Sequence, residues 1–306
     1  MLPSQGDFFS VMYHYVRPKE ISKLRYLEIQ DFQRQIDFFE EKFGLVSRDD
    51  WEKFRETGQK PKGALLTFDD GLKDHYRFVL PILIDRNLFG IFYTCTNPLK
   101  NLALPVHLTH YLLARTEVRT IWNELITRGL PKQYKEVFDH KSQLAHLNQD
   151  HSSLEKDFKK LINYAVVDIG QKDLLLEIFT EFTKLSQTQF VNLWNLNEQE
   201  IFEISSSGFE IGSHTCSHRL MSNLTDFEID FELYDSKSIL TEICNTNIKS
   251  FCFPYGGTRS YNDNILQKLH QFEYLESFTV NPQPIESGFL KPINRFELPR
   301  YDCNLF

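Results

Sequence analysis

The chain has 306 residues, 41% hydrophobic and 25% charged, a length and balance that suit a soluble globular enzyme with a sizeable core. Its 34 basic residues against 42 acidic ones give a net charge of -8, which speaks against a nucleic-acid partner gripped through a basic face. No apolar run reaches the roughly 18 residues of a membrane-crossing helix, so no integral membrane segment is expected.

The stretch from Met1 to Asp7 is polar and carries Pro3 and Gly6, without the basic and apolar regions of a secretory signal. Cys95, Cys216, Cys244, Cys252 and Cys303 are scattered and form no CxxC pair. Neither a zinc knuckle nor a disulfide framework follows from them, and reduced thiols in a cytoplasmic protein are expected. The 27 Phe and 13 Tyr suit thick packing layers, with carbohydrate stacking as a second use.

Phe8 to Val16 reads as a first strand. Ile29, Phe32, Ile36, Phe39 and Phe43 then recur at steps of three and four, the pattern of one helix face. Leu45 and Val46 suggest a short strand before a helix at Asp49 to Phe54. Ala64 to Phe68 is a continuous apolar strand that stops at Asp69-Asp70-Gly71, and a helix with Tyr76, Val79, Leu80 and Leu83 on one side follows. Gly90 to Cys95 is the next buried strand.

From about 101 to 194 strand-like runs give way to charged helical segments such as Leu154 to Ala165 and Lys172 to Phe182, which reads as a helical insertion within a single domain spanning 1–306. The alternation of strand and helix then resumes. Asn197 is placed to cap a helix through Ser207 with Gly208 as its stop, and Phe209 to Ser213 is a strand. Thr225 and Glu228 form a capping box for a helix to about Cys244, and Ile248 to Phe253 and Tyr274 to Val280 are further strands. This rhythm makes the fold α/β with buried, parallel-like strands. Periodicity alone does not choose between a barrel and an open doubly wound sheet.

Three strand ends carry chemistry-bearing residues, where functional groups gather in parallel α/β folds. In Thr67-Phe68-Asp69-Asp70-Gly71, two adjacent carboxylates leave opposite sides of an extended chain and suit two different tasks. In Ser213-His214-Thr215-Cys216-Ser217-His218, two imidazoles four residues apart can lie on one side of a helical turn and share a cation. Two His and one carboxylate leave coordination positions open, as catalytic metal sites do. In Phe251-Cys252-Phe253-Pro254-Tyr255-Gly256-Gly257, a sharp turn after a buried strand can present the Tyr255 N–H to a developing oxyanion.

Together, and in this order, the three motifs resemble the NodB-type polysaccharide deacetylases, carbohydrate esterase family 4, from Phe8 to about Arg300. The spelling Phe-Cys-Phe-Pro-Tyr-Gly, with Tyr13-His14-Tyr15-Val16 near the start, resembles the branch that holds the poly-N-acetylglucosamine deacetylases. The resemblance implies a distorted (β/α) barrel of about seven parallel strands. It also implies one divalent metal ion, zinc by preference, on Asp70, His214 and His218, with Asp69 as general base. The implied reaction is removal of an N-acetyl group from an acetamido sugar, nucleotide-linked or glycan-attached, in glycan biosynthesis. Rival readings are a non-sugar amide on the same fold and an inactive carbohydrate-binding relative.

Two departures from the family pattern matter. Cys252 stands where the third motif usually begins with an arginine that orients the catalytic aspartate; Arg300, in Leu298-Pro299-Arg300, is the candidate replacement and Arg295 the runner-up. The family's late acid histidine has no clear counterpart, since His270 falls in a helix-like segment. His14, at a strand end, is the candidate general acid. His75, His107, His110, His140, His146 and His151 have no partner at convincing ligand spacing, and Cys216 reads as a packing residue.

Overall fold

The computed structural model of the chain describes residues 2–18, 21, 23–129, 155, 158–159, 162, 172–286 and 294–306. Seven parallel strands form the main sheet among them: β1 Phe8–Tyr13, β2 Gly63–Phe68, β3 Gly90–Thr94, β4 Glu210–Ser213, β5 Ser250–Cys252, β6 Glu276–Phe278 and β7 Arg300–Asp302. Their order is β6-β5-β4-β3-β2-β1-β7. The seam between β6 and β7 is bridged by the residues just before β7. Phe278 pairs in parallel with Leu298, Leu298 N–H donates to Ser277 O at 2.9 Å, and Thr279 N–H donates to Leu298 O at 2.9 Å. The sheet therefore curls into a nearly closed barrel, which settles the choice that periodicity left open.

Every residue of β1, β2 and β3 is buried, as strands covered on both faces must be. Around them, helix α1 Ile29–Lys42 buries Phe32, Ile36 and Phe39, the face expected from their spacing. Helix α2 Arg48–Thr57 is capped by Ser47, whose hydroxyl accepts from Asp50 N–H at 3.1 Å. After β2 a π-helical turn at His75–Val79 leads into α3 Leu80–Asp85. Helix α4 Pro105–Arg115, α5 Val118–Thr127, α6 Lys172–Thr183 and α7 Gln187–Trp194 follow β3. They share a second apolar cluster, built around Tyr111, Leu112, Ile121, Leu125, Phe179, Phe190 and Trp194 and joined by Tyr15 and Leu72 from the barrel side. Most of Leu154 to Ala165, and His140, His146 and His151, lie outside the described residues.

Helix α8 Glu198–Ser206 starts from the Asn197 capping box, α9 Asp226–Cys244 from the Thr225 one, and α10 Asp263–Gln271 precedes β6. Some expected strands are shorter than the pattern suggests. The first stops at Tyr13 because the chain turns away: Tyr15 O accepts from Leu27 N–H at 2.9 Å, and Val16–Arg17 pair with Leu27–Glu28 in a separate two-stranded sheet. Leu45 makes only an isolated bridge to Ala64. The seventh barrel strand, Arg300–Asp302, was not anticipated, since three residues are too few for period-two patterning to register.

Candidate active site

The three motifs converge at the C-terminal rim of the barrel. Asp69 and Asp70 follow β2, His214 follows β4 and Cys252 ends β5. Four non-glycine residues of these loops have left-handed backbone: Asp70 (φ 77°), Thr215 (φ 68°), His218 (φ 59°) and Tyr255 (φ 64°). Each such residue costs about 1–3 kcal/mol, and strain of this kind is kept where it aims side chains. Gly71 is required by its surroundings. Its φ is 60°, and a Cβ there would lie 2.8 Å from Thr94 Cγ2.

The His214–His218 pair is not on a helical turn. Its loop is held open by Glu232, a buried residue of α9. One carboxylate oxygen of Glu232 accepts from Cys216 N–H at 2.7 Å and Ser217 N–H at 3.0 Å, and the other accepts from the Ser217 hydroxyl. Thr215 Oγ1 accepts from His218 N–H at 3.0 Å. Cys216 is fully buried in this loop, as a packing residue.

Asp70 Oδ1 lies 3.3 Å from His214 Nε2 and 3.3 Å from His218 Nε2. The atom is buried and accepts no hydrogen bond among the described residues. An orphaned carboxylate oxygen between two ring nitrogens is costly unless something positive completes it. His214 Nδ1–H donates to Cys252 O at 2.7 Å, which leaves the Nε2 lone pair facing the same point. One carboxylate and two imidazoles in this arrangement fit a divalent metal with open positions. Burial pushes the Asp70 carboxyl up, but the adjacent His218 and the close rings of His107 and His214 hold it well below the usual carboxylate range.

Asp69, Cys252 and His214 form a second group at similar spacing. A cation there would face the Arg300 guanidinium, so it is the poorer metal site. Arg300 is fully buried and reaches in from β7. Its Nη1 and Nη2 donate to Asp69 Oδ1 and Oδ2, each at 2.8 Å. Nη2 also approaches Cys252 Sγ at 2.9 Å, and Nη1 donates to Thr67 Oγ1 at 3.1 Å. Burial raises the Asp69 carboxyl, and the forked Arg300 contact outweighs it, leaving Asp69 below its ordinary value and ionised at neutral pH. Arg295 is elsewhere, donating to Arg55 O at 3.2 Å.

His14 lies one residue past β1, half-buried, and its charge bears on Asp69. Its carbonyl accepts from His75 Nε2 at 2.8 Å. His270 is exposed on α10, in the sequence segment expected to be helical. The Tyr255 ring packs edge-on against His218, with centroids 4.9 Å apart. Gly256, at φ 58°, lets the turn close against Val280, where a Cβ would come within 2.5 Å of Val280 Cγ2.

Two residues at Asp70 were set aside or missed by sequence reasoning. His107 of α4 points its Nε2 at Asp70 Oδ2, 3.3 Å away, and Asn195 lies 3.2 Å from the other ring nitrogen. Neither residue stands at ligand spacing from the motifs.

Residues 172–276 match the family model described as polysaccharide deacetylase. The fold is similar to that of the Streptococcus pyogenes deacetylase PplD solved in complex with acetate, at 16% identity and TM-score 0.59, covering 98% of this chain and 93% of that one. It is also similar to IcaB from Ammonifex degensii, at 14% identity and TM-score 0.55 over 98% and 93% of the two chains. The BpsB deacetylase domain from Bordetella bronchiseptica is 14% identical, with TM-score 0.56 and 98% coverage of each. No curated protein sequence matches the chain at a significant level.

Proposed function

We propose that the protein is a metal-dependent N-deacetylase that removes acetyl from an acetamido sugar, nucleotide-linked or glycan-attached. The observation that carries this reading is the division between two neighbouring carboxylates. Asp69 is clamped by Arg300, and Asp70 offers a buried, unbonded oxygen between two imidazoles. Asp70, His214 and His218 would hold one divalent ion, zinc by preference for this oxygen and nitrogen set. When bound, the ion supplies a lowered water pKa and a polarised amide carbonyl.

The protein's own residues supply the rest. Asp69, ionised and held by the Arg300 fork, takes a proton from the attacking water. The Tyr255 turn, beside His218, offers its backbone N–H to the oxyanion. His14, half-buried at the rim near Asp69, gives a proton to the departing sugar amine, which leaves poorly until protonated. A cytoplasmic setting is our proposal as well, and rests on five cysteines that are all free and buried. The Phe-Cys-Phe-Pro-Tyr-Gly motif, which resembles that of the poly-N-acetylglucosamine deacetylases, favours an N-acetylglucosamine oligomer as the first substrate to try.

The test is acetate release from N-acetylglucosamine oligomers, by the protein as purified, after chelation and after zinc is restored. Release that vanishes with chelation and returns with zinc is expected. Acetate from non-sugar acetamides alone would replace the substrate class, and release unchanged by chelation would overturn the metal assignment.

A further inference from the structure

The helices that follow β3 have an apolar cluster of their own, but both ends of this segment return to one carboxylate. At the entry end, α4 carries fully buried His107, whose Nε2 is 3.3 Å from Asp70 Oδ2. At the exit end, Asn195 follows directly after α7 and its Nδ2 lies 3.2 Å from His107 Nδ1. The exit end is stitched to the aspartate loop by the backbone. Leu72 and Asn195 form an antiparallel bridge, and Leu196 N–H donates to Gly71 O at 2.9 Å.

The hydrogens follow from these contacts. The amide nitrogen of Asn195 can only donate, so Nδ1 of His107 accepts. The single proton of the neutral ring then sits on Nε2 and points to Asp70 Oδ2. A protonated Nε2 has no lone pair for a cation, so His107 is a donor to the ligand and not a ligand. With Oδ2 engaged, Oδ1 remains for the position between His214 and His218.

We propose that His107, oriented by Asn195, is a positioning residue that holds Asp70 in its metal-binding rotamer, and that the helical segment is thereby a working part of the metal centre. The inference rests on the metal assignment above and names a further pair of residues for it. Outer hydrogen bonds to ligating groups of this kind are worth about 10–100-fold in metal affinity. The segment's docking and the site's metal occupancy are then linked, since ordering α4 against the barrel also orders Asp70.

The test is zinc affinity, measured by competition with a chromophoric chelator on the full-length protein stripped of metal. Wild type should bind one equivalent; if it binds none, the metal reading itself fails, whatever the variants do. His107→Leu keeps bulk without a donor and should bind about 10–100-fold more weakly. His107→Gln restores an N–H at similar reach and should recover most of that loss. A purely packing role predicts no such advantage for Gln over Leu, so equal affinities in the two variants would overturn the proposal. Affinity unchanged in His107→Leu would overturn it as well. Should His107→Leu fail to fold, Asn195→Leu carries the same test, with several-fold weakening expected and unchanged affinity contradicting the proposal. X-ray absorption at the zinc edge should count two imidazoles in both wild type and His107→Gln. Loss of one imidazole in the variant would make His107 a ligand and refute the positioning role.

Discussion

Two buried arginines sit at opposite ends of the barrel, and their surroundings differ in an instructive way. At the N-terminal end, Arg55 of α2 meets the first residues of β4 and β6. Its Nη1 donates to Glu210 Oε2 at 2.9 Å, its Nε to Glu276 Oε2 at 3.0 Å, and its guanidinium lies over the Trp51 ring. At the C-terminal rim, Arg300 holds one carboxylate, Asp69, while the next residue, Asp70, is left with an oxygen that accepts nothing. The lower cluster is closed on itself; the upper one is incomplete. In barrels of this kind the lower end serves stability and the upper end chemistry, and the unbonded oxygen is the physical mark of that division. A buried polar atom without a partner costs about 1–3 kcal/mol, and here it is kept where the three groups proposed to hold the metal meet.

A large effect with the metal site left intact is expected at the upper end from His14. His14→Ala should lower kcat by roughly 10²–10⁴-fold with metal retained, the usual contribution of a proton donor. Near-normal kcat in steady-state acetate release would remove His14 from the mechanism.

The two arginines give the most direct contrast. Arg55→Met and Arg300→Met each strand buried carboxylates, and each should cost about 3–5 kcal/mol of stability in urea unfolding. They should part in kinetics. The folded fraction of Arg55→Met should keep wild-type kcat, whereas Arg300→Met should lose turnover because Asp69 is no longer aimed. Equal kinetic losses in the two would erase the proposed division between the ends.

A smaller effect comes from His75, in the turn beneath the aspartates. Burial lowers its pKa to about 4, from an ordinary value of 6.5. Because the folded pKa is the depressed one, the unfolded chain takes up the proton first as pH falls. Stability is therefore intact above about pH 6.5 and is lost between there and about pH 4, by about 3 kcal/mol in full. His75→Gln should flatten that part of the stability–pH profile, and an unchanged slope would assign the loss to other groups.

The same contrast explains what was legible beforehand. Asp69, Asp70, His214, His218 and the Phe-Pro-Tyr-Gly turn lie in short motifs after buried strands, so local spacing exposes them. Arg300 could be named from its Leu-Pro-Arg setting, although the three-residue strand that carries it could not. Glu232, His107, Asn195 and the Arg55 cluster left no local signal. Asn195 and His107 are 88 residues apart, and Arg55 and Glu276 are 221 apart. Such pairs exist only once the chain has closed its barrel and docked its helices. The helical form expected for the His214–His218 turn failed for a related reason: Glu232, from the following helix, holds that loop open.

The central claim is that two adjacent aspartates do different work, one clamped as a base and one turned to a metal. Elemental analysis of purified Asp69→Asn and Asp70→Asn, set beside acetate release by the same samples, tests it most directly. Asp69→Asn should keep one equivalent of zinc and lose turnover. Asp70→Asn should lose both. Equal metal content in the two variants would contradict the account.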